Sequence, residues 1–589
     1  MKLKPIHNYL DKTFVTILIF IFFTYNLGRV YYGLPFFLNL DETRFLYSTL
    51  SFLSFITGNY GFGDPIIAPF FSLILILKSI FINELLINSL NIDEIISKVY
   101  FNTELFIFYG RIASLIAATL SIFFLYLIFK KLKIKFIIYS VLLITFSTSL
   151  IIYNIGSYHG KHAYYLLLFL LQLYFYFKYS IKLKSLNFST YIIFGLLGAL
   201  AWGISYWPSL FSIYFILILH FKKFKFKEIK FLITFFLIFL ILGPVLGFVF
   251  SDVPILSYMA TSEQLGTLEL NIFLENTIND FLEGLKMIFY AEKNILLATI
   301  FFPLYFINKH SRFKEESLII LVVFFYPVIL LAISQRAFPQ LRYFVGNTCI
   351  ILIFVSIIFN SFYRSKLKYL YFIFLISNSY LIYSNIYLNN KIDDIISKHS
   401  FFVFNENIKK DKDKVLYLVD LNFQETLRQN QLYLSMYNNN LIKKSDDYKL
   451  KISRIKNKIN KIKKKKNIII DNQYLKEKIT YFNYSYHEIT NLRLFFKKIN
   501  EDFDYVVIEE TRPFYLTNDD MHKKIRKYVK DNFIFEQIYT KEKKIFLRSQ
   551  TSIIHYYTNT INRFDYAENI ENKNLDIVFG SNYSLYKIN

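Results

Sequence analysis

Residues 105–135 read LFIFYGRIASLIAATLSIFFLYLIFKKLKIK, a long apolar run that ends in closely spaced lysines. A helix needs about 20 mostly apolar residues to cross the hydrocarbon core of a bilayer, and residues 105–129 meet that requirement. Short loops rich in Lys and Arg stay on the cytoplasmic side of a membrane. This stretch therefore predicts a transmembrane helix whose C-terminal end faces the cytoplasm.

The same pattern recurs along the chain. Of its 589 residues, 54% are hydrophobic and 20% are aromatic, whereas soluble globular chains are about 45–50% apolar. The mean hydropathy is +0.34. The apolar runs are 13–31, 65–82, 105–129, 136–154, 162–179, 189–220, 229–250, 294–308, 317–334, 342–361 and 367–387. Basic loops follow several of them, at 130–135, 178–184, 222–230, 309–314 and 364–368.

Two of these runs need interpretation. If 65–82 crossed the membrane, the basic loop 130–135 would face outside, so we expect 65–82 to lie in or re-enter the outer leaflet. The run 189–220 is too long for one span and has basic loops at both ends. We therefore expect two short helices there, with a bend near Tyr206-Trp207-Pro208, because proline blocks the continuation of a helix.

The sequence thus predicts an α-helical polytopic membrane protein with about eleven transmembrane helices and a cytoplasmic N-terminus. Residues 1–389 form the transmembrane domain. The outer regions are 32–104, the acidic loop 251–293 and the chain after about 390. The location that follows is the plasma (inner) membrane, with several passes and a periplasmic or extracellular C-terminal domain.

The net charge of +24 raises the question of nucleic acid as a partner. Much of this charge lies in the short loops between apolar runs, where membrane topology explains it, so no nucleic acid is expected. Cys349 is the single cysteine and cannot form an intramolecular disulfide, so redox chemistry is not expected either.

Residues 390–589 have a different character. The short apolar runs Val415–Val419 and Tyr505–Ile508 are bounded by polar residues, as buried parallel strands are. Residues 533–548 alternate as a hairpin does. We expect a soluble α/β extracytoplasmic domain. Its lysine-rich stretch 443–466 is typical of a solvated helix, and the alternative is a segment that holds anionic lipid head groups.

The first predicted span is followed by Asp41-Glu42-Thr43-Arg44. This motif opens an amphipathic stretch at the water–lipid boundary, where adjacent carboxylates are costly to place. One interpretation is a helix N-terminus whose acids suit the helix dipole. The other is a catalytic motif in the outer loop 32–104.

A wider set of residues resembles the polyprenyl-phosphate-dependent glycosyltransferases of the GT-C type. The similarity is to the branch that holds protein O-mannosyltransferases and lipid A aminoarabinose transferases. The residues that carry it, in chain order, are Asp41-Glu42-Thr43-Arg44, Tyr60-Gly61-Phe62-Gly63-Asp64-Pro65, Tyr109-Gly110-Arg111-Ile112-Ala113-Ser114, Arg336 and Leu341-Arg342-Tyr343.

The resemblance implies inverting transfer from a polyprenyl-phosphate sugar, with Asp41 as the candidate base. A positioned carboxylate can take the proton that an acceptor hydroxyl loses as it attacks, and Glu42 would orient Asp41 or the acceptor. The departing lipid phosphate needs a cation, and the guanidinium group suits phosphate. The candidate phosphate-binding and substrate-binding residues are Arg342 first, then Arg111 and Arg44, with Tyr343 beside Arg342 and Lys161 as a further contact.

A divalent metal is an open question. Some related enzymes use a second acid just before the proline of the outer loop, and Asp64 stands at that place here. Carboxylate oxygens from Asp41 and Asp64 would suit Mg²⁺ or Mn²⁺. His159 and His162 have the spacing of a zinc-binding pair, with an interfacial polar turn as the alternative.

The predicted function is therefore transfer of a hexose, pentose or modified sugar to a cell-envelope glycan, lipid or protein acceptor on the outer face. The alternatives are a lipid-linked glycan transporter or flippase, and a polysaccharide polymerase or ligase. A transporter places charged residues inside its spans, whereas the apolar runs here are nearly free of charge in their middles.

Overall fold

A computed structural model describes the helical core of the chain and part of its C-terminal region. The described residues are 4–30, 103–149, 161–204, 206–248, 345–363, 368–397, 414–418, 479–482, 490–509, 520–536 and 583–588, with a few isolated positions between them. The predicted runs 65–82, 294–308 and 317–334 and the acidic loop 251–293 lie outside these residues.

Nine α-helices make up the described part of the chain before residue 398. They are α1 Lys4–Val30, α2 Thr103–Lys131, α3 Phe136–Thr148, α4 Lys161–Ile181, α5 Phe188–Ile204, α6 Tyr206–Phe224, α7 Ile229–Phe248, α8 Val345–Phe362 and α9 Lys368–Ser397.

These helices coincide with apolar runs, and the largest differences in length are at α1, which begins at Lys4 rather than at 13, at α3 and at α9. The predicted division of 189–220 is confirmed, because α5 ends at Ile204 and α6 begins at Tyr206. The predicted run 136–154 was too long: α3 ends at Thr148, and Ser149 leaves the helical backbone with ψ 134°. Helix α9 continues ten residues past the predicted end at 387.

Helices α1 and α2 run antiparallel and are held together at both ends. At one end the Lys130 ammonium group donates to the buried Asp11 carboxylate, and the Tyr139 hydroxyl group of α3 lies beside the same carboxylate. At the other end, Arg111 Nη1 donates to the Val30 carbonyl oxygen at 3.0 Å. The two contacts are about 28 Å apart along each helix at 1.5 Å per residue, close to the roughly 30 Å thickness of a bilayer core.

The basic turns lie at one end of the helical bundle, which we call the basic end. Lys135 in the α2–α3 turn donates its backbone N–H to Asn360 Oδ1 of α8 at 3.1 Å. Lys223 at the end of α6 bonds the Leu186 carbonyl oxygen in the α4–α5 connection. Each of these turns therefore joins a helix that arrives at the basic end to one that leaves it.

The opposite end gathers the other helix termini. Besides the contact of Arg111 with Val30, Asn389 Nδ2 of α9 lies 3.5 Å from the Thr148 carbonyl oxygen of α3. The Tyr25 hydroxyl group of α1 bonds Asn390 of α9. Consecutive described helices thus alternate in direction between the basic end and this opposite end.

Small residues allow α5 and α7 to pack closely. A Cβ atom at Gly195 would stand 2.9 Å from Ile238, and one at Gly198 would stand 2.7 Å from the Phe239 ring. Such Gly-mediated contacts are frequent where helices pack in a lipid environment.

Two of the described helices are by themselves long and apolar enough to cross a membrane, Leu10–Val30 and Phe108–Lys131. Four shorter apolar helices are Phe136–Thr148, Phe188–Trp202, Ile229–Gly243 and Thr348–Phe362. Length and composition are also met by buried helices of other proteins, so the eleven spans stay a prediction.

The described part of the C-terminal region forms a five-stranded sheet with two helices. Its strands are β1 Val415–Leu418, β2 Ile479–Phe482, β3 Tyr505–Glu509, β4 Ile534–Glu536 and β5 Tyr583–Lys587, in the order β2-β1-β3-β5-β4. Helices α10 Leu492–Asp502 and α11 Asp520–Asn532 pack side by side, since the Phe496 and Tyr528 rings stack at 4.8 Å.

The two predicted strands are confirmed as parallel neighbours, β1 and β3. The predicted hairpin at 533–548 is described only in its first part. There β4 pairs with β5, a strand from the end of the chain, and residues 537–548 lie outside the described residues.

The first prediction concerns the contact that joins α1 and α2 at the basic end. Asp11→Asn should lower the free energy of unfolding by about 2 kcal/mol, because it leaves the Lys130 charge without its carboxylate. Unfolding of the purified protein by SDS titration measures this.

Asp11→Asn combined with Lys130→Met should recover part of that loss, since no unpaired charge remains. Lys12→Met is the matched control, because Lys12 is the exposed neighbour of Asp11. If Asp11→Asn and Lys12→Met have equal effects, Asp11 does not hold the two helices together.

Candidate anion-binding site

Two arginines are buried at the end of the bundle opposite the basic turns. Arg29 is 1% exposed and Arg111 is 0% exposed, and both are among the largest fully buried side chains of the described residues. Arginine is almost never fully buried unless its charge is compensated. Their burial is therefore the clearest departure from ordinary helix packing in the described bundle.

The last turn of α1 positions the first arginine. Asn26 is fully buried, and its Nδ2 donates to the Phe22 carbonyl oxygen at 2.8 Å. Its Oδ1 faces Arg29 Nη1 at 3.4 Å, at the long end of the hydrogen-bond range. A cation in the last turn of a helix also meets the negative end of the helix dipole.

Helix α2 brings the second arginine to the same turn. Arg111 lies about two turns inside α2, and the carbonyl oxygen it bonds belongs to Val30, the residue after Arg29. That carbonyl group is one of the last four of α1, which accept no backbone hydrogen bond inside the helix. The Arg111 guanidinium group therefore lies at the α1–α2 contact, and Arg29 is the residue before its partner in the chain.

Helix α4 begins beside this pair. Ala113 and Ala117 of α2 pack with Ala163 and Tyr164 of α4 in one buried cluster. His162, in the first turn of α4, is 5% exposed. Small side chains on both helices let the polar start of α4 approach α2 near Arg111.

Helix α8 also starts at this end. A Cβ atom placed on Gly346 would lie 3.4 Å from the Tyr165 hydroxyl oxygen of α4. The end of α1, the start of α2, the first turn of α4 and the start of α8 thus all lie at the end of the bundle that holds the two arginines.

The sequence-predicted residues divide into two groups. Arg111 is described and buried, and Lys161 is the first residue of α4. The remaining candidates lie outside the described residues: Asp41, Glu42, Arg44, Asp64, His159, Arg342 and Tyr343.

Arg29 and Asn26 were not among the residues predicted from the sequence. A signal was available, because an arginine in the last turn of the first apolar run, about a dozen residues before Asp41, is rare in a span. Arg29 was missed because a single cation at a helix end also suits membrane topology.

The described part of the site can bind an anion. Guanidinium groups form paired, charge-assisted hydrogen bonds with phosphate and carboxylate oxygens. No group of three His, Cys, Asp or Glu side chains that could hold a metal occurs among the described residues. The predicted metal ligands Asp41 and Asp64 are not among those residues, so Mg²⁺ or Mn²⁺ stays a prediction.

Comparison with known proteins adds no identification. No protein-family model matches the chain, and no curated protein matches it. The similarity to GT-C glycosyltransferases therefore rests on the residues quoted above and stays a prediction.

The second prediction tests the arginine pair as an anion site. Arg29→Gln and Arg111→Gln should each weaken binding of a polyprenyl phosphate by about tenfold or more, since a charged hydrogen bond contributes roughly 1.5–3 kcal/mol. Native mass spectrometry of the purified protein measures bound lipid, with the uncharged polyprenol as the comparison ligand.

Arg111→Lys is a more conservative variant that separates a loss of binding from a loss of folding. It keeps the buried positive charge and removes only the paired N–H donors of the guanidinium group. Arg493→Gln is the matched control on the exposed surface of α10. Folded variants that bind the phosphate as tightly as the unaltered protein would exclude the pair as its site.

Proposed function

We propose that this protein is a membrane glycosyltransferase that moves a sugar from a polyprenyl-phosphate donor to a glycan, lipid or protein acceptor at the outer face of the plasma membrane. The observation that carries the proposal is the burial of Arg29 and Arg111 at the end of the bundle opposite the basic turns. A donor with a phosphate leaving group requires cations at that face.

The sidedness of the bundle supports this orientation. Basic turns favour the cytoplasm, so the opposite end, with the arginine pair, faces outward. Helix α1 ends where α2 begins, as the contact of Arg111 with Val30 requires. A chain that leaves and returns at one face crosses the membrane an even number of times, which agrees with a non-crossing segment at 65–82.

The same reasoning applies to the gap between α7 and α8. Gly243 near the end of α7 faces Trp202 near the end of α5, and Gly346 at the start of α8 faces Tyr165 of α4. Both termini thus belong to the opposite end, and an even number of crossings between them would agree with this. The two predicted spans 294–308 and 317–334 would supply that even number and bring the proposed total to eleven.

The proposed reaction is a single displacement at the anomeric carbon. The acceptor hydroxyl group loses its proton to Asp41 as its oxygen bonds the anomeric carbon, and the bond from that carbon to the lipid phosphate breaks. Glu42 orients Asp41 or the acceptor. Charge that develops on the departing phosphate is stabilised by Arg111 and Arg29, together with Arg342 and Arg44.

Transport is the rival function from another class. Transporters use charged side chains inside their spans. Among the described helices, the buried charged residues Asp11, Arg29 and Arg111 lie towards the ends of the bundle. This distribution favours a reaction at one face over a pathway through the bilayer.

The third prediction tests the reaction. Purified protein in lipid vesicles should transfer radiolabelled sugar from at least one member of a panel of polyprenyl-phosphate donors. Asp41→Asn should lower the rate by about 100-fold or more, the usual contribution of a general base, while donor binding persists.

Asp531→Asn is the matched control, because Asp531 is exposed at the end of α11. Full transfer by Asp41→Asn would exclude Asp41 as the base. Movement of the intact lipid-linked sugar across the vesicle membrane, without transfer, would instead favour the transporter.

A further inference from the structure

Helix α2 carries a partly exposed apolar stripe that ends in a lysine. Ile116, Leu120 and Phe123 are 37–40% exposed, whereas Leu115, Ala118 and Ile122 on the other faces of α2 are fully buried. Their spacing of four and three residues puts them on one face of the helix, and Leu127 and Lys131 continue that face. An apolar surface of this kind therefore leads directly to a cation at the basic end.

Helix α4 carries a second stripe beside the first. Leu171, Tyr174 and Phe175 are partly exposed and are followed on the same face by Lys178, and Lys182 comes directly after the end of the helix at Ile181. The two stripes adjoin through Phe124, whose ring centre lies 5.8 Å from that of Phe123 in the first stripe and 6.0 Å from that of Tyr174 in the second. Together they form an apolar surface about as long as a lipid acyl chain, with lysines at one end.

The three lysines at that end come from two different turns. Lys131 ends α2 and Lys178 lies in the last turn of α4, two helices that pack side by side, and Lys182 follows directly after α4. The Lys178 ammonium group also lies 5.3 Å from the Phe175 ring centre and 5.5 Å from that of Tyr179, which fixes its position near the stripe. Folding thus assembles a cluster that no single stretch of sequence contains.

No carboxylate of the described residues neutralises this cluster. Asp11 pairs with Lys130, and Glu228 pairs with Lys230 in the α6–α7 turn. Like charges at close range cost free energy, even though water and salt screen them. An anion bound among the three lysines would remove that cost.

We infer that the basic end carries a binding site for an anionic glycerophospholipid. Its phosphate head group lies among Lys131, Lys178 and Lys182, and an acyl chain follows the stripes of α2 and α4. The stripes favour a lipid over free phosphate, because an acyl chain would cover the exposed apolar surface next to the lysines and free phosphate would not.

This inference rests on the membrane location in the proposed function and does not depend on sugar transfer. A juxtamembrane lysine contributes roughly a fivefold preference for an anionic surface. Three lysines that converge on one head group should therefore distinguish an anionic lipid from a zwitterionic one clearly.

The experiment uses full-length protein in nanodiscs of phosphatidylcholine with and without phosphatidylglycerol. Native mass spectrometry counts retained lipids, and fluorescence follows thermal unfolding. Phosphatidylglycerol should be retained preferentially and should raise the unfolding temperature. The triple variant Lys131→Gln, Lys178→Gln and Lys182→Gln should lose both effects, with retention of phosphatidylglycerol weakened by at least about fivefold.

The matched control is Lys225→Gln, Lys227→Gln and Lys230→Gln, which removes the same charge from exposed positions of another basic turn. The control should keep the preference for phosphatidylglycerol. The specific site would be overturned if both triple variants lost the preference for phosphatidylglycerol equally. It would also be overturned if the Lys131, Lys178 and Lys182 variant kept that preference. Inorganic phosphate that stabilises the protein as well as phosphatidylglycerol does would overturn the lipid as occupant.

Sugar transfer is not a readout of this experiment, so its absence leaves the lipid result intact. Protein that fails to enter nanodiscs would instead contradict the membrane location on which both proposals rest.

Discussion

The antiparallel contact between α1 and α2 organises the described bundle. Apolar helices gain little from association in lipid, because the acyl chains are as apolar as their side chains, and polar contacts therefore set which helices pair and in which register. Asp11 with Lys130 and Arg111 with Val30 supply such contacts at the two ends. A slip by one helical turn would break both at once.

The neighbouring helices are arranged around this pair. The turn after α2 is tight, with Lys133 at φ 57°, and it returns the chain as α3, whose Tyr139 hydroxyl group reaches Asp11. Alanines on α2 and α4 bring α4 close to α2 near Arg111. The contact that joins the first two helices thus also decides which polar groups gather at each end.

Charge is distributed in two chemically different ways in this bundle. At the basic end, lysines are partly or fully exposed, where an ammonium group stays hydrated. At the opposite end, Arg29 and Arg111 are buried, and a weakly hydrated guanidinium group tolerates burial better. This asymmetry connects the fold to the proposed function, because the buried cations suit a phosphate held within the protein and the exposed ones suit a lipid surface.

The helices could be predicted from local sequence, because a long apolar run indicates a membrane or core helix without any knowledge of its tertiary contacts. The break before Tyr206 followed from Pro208, and the strands β1 and β3 from short apolar runs. The early end of α3 and the extra length of α9 could not be predicted from local sequence. Contacts such as that of Asn389 with Thr148 join residues that are far apart in the chain. The insertion of β5 between β3 and β4 is long-range in the same way.

The candidate site was predictable to a smaller extent. Arg111 was predicted from a family resemblance and lies in a buried polar contact, whereas Arg29 was missed because its burial arises only in the packed bundle. The acidic motif at Asp41 and Glu42 stays a prediction. Residue chemistry can suggest a base, but only three-dimensional contacts show which groups face it.

Cysteine labelling tests the central claim, a bundle that crosses the membrane with its basic end inside. Cys349 is the single cysteine and is buried, so Cys349→Ser supplies a background without thiols. Lys133→Cys at the exposed α2–α3 turn and Lys414→Cys before β1 each add one exposed thiol. In intact cells, a membrane-impermeant maleimide should label the Lys414→Cys variant, and the Lys133→Cys variant only after permeabilisation. Labelling of both variants in intact cells, or of Lys133→Cys alone, would contradict the account.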